Sequence, residues 1–336
     1  MPAFAVVAVA VLVSIATPGS ASPATTSSHV STSTTTATTK NPPRVIIDTD
    51  LSRWWDDVTA IGIANVLQQR GQLDILGIVS DVPNRVAVAA IDGLDTAYGH
   101  GNIPLGAVAH SASDTFEHGY TDELVRRLKH SVGSSDDVPG AVTLYRRLLT
   151  HQPDHSVTIV ALGGYTNLAG LLDSPGGRAL IAKKTKRLVI MDGFFPTGTV
   201  PLTNQQIDPA ATNQVVGGAG WPVPIAWADG TIGVATKVGA SLCTTVGPND
   251  PMRIAYEALF GCAAPTDGDW DGPALLYAVG DLPGAFTELG QGGAAVINPQ
   301  GGLSWQDAST RTHDVYVHVA DQASLNQRID ALLAAR

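Results

Sequence analysis

Val45–Leu67 reads "VIIDTDLSRWWDDVTAIGIANVL". A β-branched run, Val45-Ile46-Ile47, leads into Asp48, Asp50, Asp56 and Asp57, and these lead into an apolar segment with helical spacing at Ile61, Ala64 and Leu67. A buried strand handing over to a helix is the unit of an α/β sheet. One aspartate at such a junction is accounted for as a helix cap, accepting the free N–H groups of the first turn. Four are not. Carboxylates gathered in one place repel and raise one another's pKa unless a positive charge offsets them. A hard divalent cation does so, and Ca2+ takes its ligands from carboxylates, carbonyls and water. With no His or Cys close by in the sequence, zinc is disfavoured.

The same alternation continues along the chain. "LDILGIVS" precedes "RVAVAAIDGLDTAYGHG", "IPLGAV" precedes "TDELVRRLKH", "VTIVALG" precedes "TNLAGLLDSP", "RLVIMDG" precedes "DPAATNQVVGG", and "VPIAWA" follows. Continuous apolar strands separated by helices predict an α/β fold: a single open, mostly parallel twisted sheet flanked by helices, of Rossmann type. Towards the end "AAVINPQGGLSW" and "HDVYVHVA" predict a small C-terminal β addition, and "SLNQRIDALLAA" a closing helix. No Pro/Gly/Ser-rich linker divides residues 44–336, which therefore read as one domain. Ligands bind outside the carboxyl ends of such strands. That rule brings Asp48 and Asp50, Ser80-Asp81 and Asn84, Gly163 to Asn167, and Asp192-Gly193 to one rim.

Ahead of the domain, the apolar run Ala3–Ala16 and the small residues after it predict a signal peptide over residues 1–24, with an uncleaved anchor as the alternative. Residues 25–43 are Ser/Thr-rich and cannot bury apolar surface, so they predict a disordered linker. The expectation is a secreted protein, free of the membrane once the signal is removed. In an exported chain its two cysteines, Cys243 and Cys262, read as a disulfide, the alternative being two buried thiols. The 336 residues are 44% hydrophobic and carry a net charge of −10. That balance argues against nucleic acid and anionic membranes as partners.

"IIDTDLS" also fits a strand followed by Asp-x-Asp-x-Ser, the loop of haloacid-dehalogenase-type phosphatases, with Asp48 as nucleophile, Asp50 as acid and Mg2+ as metal. That reading leaves Trp54-Trp55-Asp56-Asp57 without a role.

"DTDLSRWWDD" resembles the signature of the inosine-uridine preferring nucleoside hydrolase family, Asp-Thr-Asp-Pro-Gly-x-Asp-Asp, and more closely a variant with two further residues. "LDILGIVSDVPN", "VTIVALGGYTNLAGLL", "RLVIMDGFFPTG", "NQQIDPAA" and "DWDGPALLYAV" resemble further segments of that family in the same order. The resemblance implies a Ca2+-dependent N-ribohydrolase acting on a small nucleoside or related N-riboside, as a single chain or a homo-oligomer. It implies Asp50, Asp57, the backbone carbonyl of Thr166, and Asp271 as metal ligands, and Asp50 as the base that activates water. Asp56, Asn84 and Asn204 would hold ribose hydroxyls, and Asp48 would orient the ligands from behind. The alternative is a Ca2+-dependent nucleoside- or ribose-binding protein.

Several positions depart from the family pattern. Leu51-Ser52 replace its x-Gly, Trp54 stands where the longer variant has an aspartate, Leu202 replaces a sugar-binding Glu, and Thr199 replaces an Asn. Trp270 replaces the His that serves as leaving-group acid. Trp54, Trp55 and Trp270 read either as a stacking surface for a flat aglycone or as core packing. His118 reads as a loop histidine or a replacement acid, and His313-Asp314 as structural.

Overall fold

The computed structural model describes residues 41–52, 54–108, 119–217, 220–307 and 313–335. The signal segment, the linker up to residue 40 and His118 lie outside the described residues. The first strand, β1 (Arg44–Thr49), is buried on both faces. Val45 and Ile47 enter one apolar cluster, and Ile46 enters the other on the opposite face of the sheet. This period-two division explains the unbroken apolar run. Each such side chain contributes roughly 1.5–3 kcal/mol by leaving water.

The remaining strands are β2 (Asp74–Ser80), β3 (Leu105–Ala107), β4 (Val157–Ala161), β5 (Thr185–Met191), β6 (Ile225–Ala228), β7 (Phe286–Ile297), β8 (Leu303–Gln306) and β9 (Asp314–Val319). They form one sheet in the order β3-β2-β1-β4-β5-β6-β9-β7-β8. Pairing is parallel from β3 through to β9, and β7 pairs antiparallel with both β9 and β8. The β addition at the C-terminal end is thus present, and β9 extends the parallel sheet itself. Asp314 fastens it there, its Oδ1 accepting the Ile225 N–H at 2.9 Å, the structural role read for it.

The chain runs outward from β1 to β3 on one side, then crosses back and runs from β4 to β6 on the other. The switch point lies between β1 and β4, where a sheet of this kind opens a crevice. Three helices begin at that rim: Asp56–Gln69 after β1, Thr166–Asp173 after β4, and Asp271–Val279. Cys243 and Cys262 are bridged, with Cα atoms 5.6 Å apart. The bridge brackets the helix Pro251–Phe260, whose Tyr256 and Phe260 meet Trp55 edge-on at 5.8 and 5.1 Å. Among the described residues, no helix is long and apolar enough to cross a membrane.

Candidate active site

Asp48, the last residue but one of β1, is fully buried. Its Oδ2 accepts the Tyr145 hydroxyl at 2.7 Å, and its Oδ1 accepts the Asn167 amide at 3.0 Å. It ties three elements together from behind the rim and does not line the cavity. Thr49, next to it, donates its hydroxyl to Asp57 Oδ1. Burial, and then the Asp50 carboxylate beside it, push the Asp57 pKa up. One carboxylate oxygen of each of Asp56, Asp57 and Asp271 lies within 4.8 Å of the other two. Asp56 Oδ2 accepts the Trp270 N–H at 3.0 Å, which joins the starts of two of the helices.

Ser52, which stands where the family pattern has Gly, has φ of 92°, the left-handed region that favours glycine. Its N–H donates to the Tyr120 hydroxyl at 3.1 Å, and that hydroxyl donates to the Trp54 carbonyl at 2.7 Å. Ser52 therefore keeps a glycine-like backbone angle without glycine.

A cavity of about 220 Å³ opens beside the acids. Asp50, Asp56 and Asp271 form one part of its lining, and Trp54, Phe194, Trp270, Leu202 and Met191 another. Trp54 is 43% and Phe194 39% exposed, so both stand at the mouth. Phe194 lies over Gly230, where a Cβ would collide with its ring. Trp270 is fixed in the wall, its indole N–H donating to the Gly230 carbonyl at 2.8 Å. Trp55 reaches the cavity but is mostly core, packed on the disulfide-bracketed helix.

Asn204 lines the cavity with both amide hydrogens engaged, on the carbonyls of Leu162 and Met191, so its side-chain oxygen is left to accept from a ligand. Asn84 is placed differently. It is buried and outside the lining, and its Oδ1 accepts the N–H groups of Val86 and Ala87 at the start of the helix Ala87–Ala97. Thr166 is also outside the lining, at the first position of its helix, with its hydroxyl 3.5 Å from Asp208. Its neighbour Asn167 ties that helix start to Asp48.

Three further acids belong to the same rim. Asp192, at the end of β5, lines the cavity and accepts from Tyr165, Gln205 and the Gly193 N–H. Asp269 accepts the Gly272 N–H. Asp81, after β2, faces Asp50 across Gly163. The strand-end rule had pointed at Asp81 and Asp192, and nothing in the sequence had singled out Asp269.

Among the described residues no Lys, Arg or His lines the cavity. Burial raises Asp48 to about 7, and Asp56 and Asp192 to about 6. Burial first, and then the neighbouring carboxylates, push Asp57, Asp81, Asp269 and Asp271 well above the usual range. Asp57 Oδ2 and Asp271 Oδ1 are buried without a hydrogen-bond partner. Oxygens left this way, amid acids with no basic group between them, fit a divalent cation with oxygen ligands.

An open parallel sheet with an acidic corner at its switch point, and an aromatic-walled cavity beside it, defines a small-molecule site of the α/β class. The sequence model of the inosine-uridine preferring nucleoside hydrolase family matches residues 45–259, and the chain belongs to that family, whose members cleave N-glycosidic bonds. Asp50, Asp56, Asp57, Asn84, Thr166 and Asn204 fall within the match, and Trp270 and Asp271 lie beyond it.

Among solved structures, the fold is similar to a plant nucleoside hydrolase, at 19% identity and a TM-score of 0.63 over 88% of this chain and 100% of that one. It is similar to an inosine-uridine preferring nucleoside hydrolase from Bacillus anthracis, at 14% identity and 0.65 over 87% and 99% of the two chains. It is also similar to a purine-preferring ribonucleoside hydrolase from Gardnerella vaginalis, at 15% identity and 0.65 over 87% and 98%. A comparison with curated protein sequences returned no match.

Proposed function

We propose that this chain is a secreted Ca2+-dependent N-ribohydrolase that cleaves nucleosides or related N-ribosides to free base and ribose. The observation that carries the reading is the convergence of Asp50, Asp56, Asp57 and Asp271 on one side of a cavity lined by no basic residue among those described. Asp50, Asp57 and Asp271 would hold the cation, with the Thr166 backbone carbonyl as a fourth ligand. When bound, such a cation supplies Lewis acidity to a water and positive charge to the sugar diol.

The residues of the chain account for the rest. Asp50 takes the proton of the attacking water. Asp56, held by the Trp270 amide, accepts from a ribose hydroxyl, and so does the Asn204 oxygen. Positive charge grows on the ribosyl ring as the bond to the base breaks, and the carboxylates around it stabilise that charge. Trp54, Phe194 and Trp270 offer aromatic surface to the flat aglycone and exclude water from it. Trp270 cannot protonate the leaving base, and no histidine stands beside it among the described residues. Aglycones that leave readily as anions are therefore the favoured substrates.

Export is supported by the apolar run Ala3–Ala16 and by the Cys243–Cys262 bridge, which suits an oxidising compartment. N-terminal sequencing of the mature protein checks it.

The test incubates purified protein with a nucleoside panel and nitrophenyl riboside, with and without chelator, and measures free base and reducing sugar. Release that chelation abolishes supports the reading. A protein that releases no base from any riboside, yet binds ribose compounds when Ca2+ is present, is a binding protein.

A further inference from the structure

Asp81 is 2% exposed, and neither of its carboxylate oxygens accepts a hydrogen bond of ordinary geometry. The nearest donors are backbone amides, its own and that of Gly164. Among the described residues it makes no ion pair. Its charged neighbours are Asp48 and Asp57, both acidic. Its own N–H donates to the Thr49 carbonyl at 3.0 Å, one residue before Asp50.

Gly163 fixes the direction of the side chain. A Cβ on Gly163 would lie 2.5 Å from Asp81 Oδ2 and 2.7 Å from the Asp50 Cβ. Asp81 Oδ2 therefore stands across Gly163 from the Cβ and backbone N of Asp50, within electrostatic reach of Asp57. Only a residue without a side chain fits between them.

A buried carboxylate facing two others, with no well-placed donor and no cation, opposes folding. A cation beside it reverses the sign of that interaction. We propose that Asp81 is a further ligand of the cation held by Asp50, Asp57 and Asp271, closing the site from the β2 side. The inference rests on the cation-dependent reading given above. Four carboxylates on one dication favour a large, highly coordinated ion. Ca2+ accommodates them, whereas Mg2+ keeps several waters and prefers one or two.

The experiment uses the full chain, stripped with chelator and titrated calorimetrically with CaCl2 and with MgCl2. Thermal unfolding is recorded in chelator and in Ca2+. The variants are Asp81→Asn, Asp81→Ser, and Asp95→Asn, a buried carboxylate on a neighbouring helix that hydrogen-bonds Asn65 and has Asp92 as its charged neighbour.

Asp81→Asn should weaken Ca2+ binding by about tenfold or more, with a smaller effect on Mg2+, while Asp95→Asn leaves it unchanged. In chelator, Asp81→Asn should melt no lower than wild type, because a repulsive charge has been removed. Asp81→Ser serves the same measurements if the Asn variant does not fold.

Wild-type Ca2+ affinity in both Asp81 variants would overturn the inference. So would a lower melting temperature in chelator with the same gain on adding Ca2+, which marks Asp81 as a structural acceptor. An equal loss of affinity in Asp95→Asn would overturn it too. If the wild type itself binds no Ca2+, the cation-dependent reading fails and Asp81 fails with it.

Discussion

Ser52 carries a backbone angle that glycine adopts more easily, and two hydrogen bonds through Tyr120 hold it there. Ser52→Gly should therefore stabilise the protein by up to about 1 kcal/mol, measured by denaturant unfolding, and a loss of stability would show that Ser52 carries no strain. Asp50→Asn keeps an oxygen for the cation but loses the base, so turnover should fall by about a hundredfold or more while Ca2+ is still bound. Trp270→His restores a protonating group. It should raise cleavage of inosine more than that of nitrophenyl riboside, and equal effects on both would argue against leaving-group protonation. The acids of the family motif, Asp50, Asp56, Asp57 and Asp271, were legible because their spacing and order carry the resemblance. Asp81 and Asp192 were legible only as strand ends on the ligand-binding rim, with no role assigned, and Asp269 not at all, because only folding brings its helix start to the other acids. The engagement of the Trp270 indole by Gly230 is a tertiary fact that the sequence does not encode locally, whereas Asn84 is engaged locally, by the N–H groups two and three residues on.

The strands from β1 to β6 could be read because each carries a continuous apolar stretch largely buried in the sheet, although β5 carries the exposed Lys186 near its start. The helix Ala141–Thr150 was missed, although its Tyr145 holds Asp48. It begins at Gly140 with no side-chain cap, and its Val142 and Thr143 favour strands as much as helices. The helix Pro251–Phe260 begins with a clear signal, Asp250 accepting the N–H groups of Met252 and Arg253 before a first-turn proline, and it too went unread beside the cysteines. Its bracketing disulfide stiffens the support beneath Trp55. Reduction should cost about 3 kcal/mol in the chain-entropy model. It should also raise KM for aromatic aglycones more than it lowers kcat, because Trp55 lines the cavity without touching the reacting bond. A reduced protein with unchanged melting temperature and KM would contradict that coupling.

The charge state of the whole molecule follows from its buried acids. Asp48 at about 7, Asp56 and Asp192 at about 6, and Asp57, Asp81, Asp269 and Asp271, raised well above the usual carboxylate range, all bind protons more tightly when folded than unfolded. Groups raised in this way give their full stabilisation below the ordinary carboxylate range of about 4, and lose it as pH rises through about 6 to 7. In chelator, therefore, these groups should make the melting temperature fall between about pH 5 and pH 8. Ca2+ favours the anions, so its stabilisation should be larger at pH 8 than at pH 5. Thermal scans across that range, with chelator and with Ca2+, test the sign. A gain that is equal or greater at pH 5 would place the cation away from the carboxylates.

The position of β9 also bears on how the chain is made. β6 ends at Ala228, and the strand that covers its outer edge, β9, begins only at Asp314. During synthesis β6 is complete long before its partner exists, and β7 reaches the sheet only through β9. The nascent chain therefore exposes the row of unpaired backbone groups along β6 until β9 has emerged. A chain stopped at Gly301 retains every residue assigned to the site, yet it should aggregate through that edge. Completion of the sheet is then a late event that waits for a strand carrying none of the chemistry.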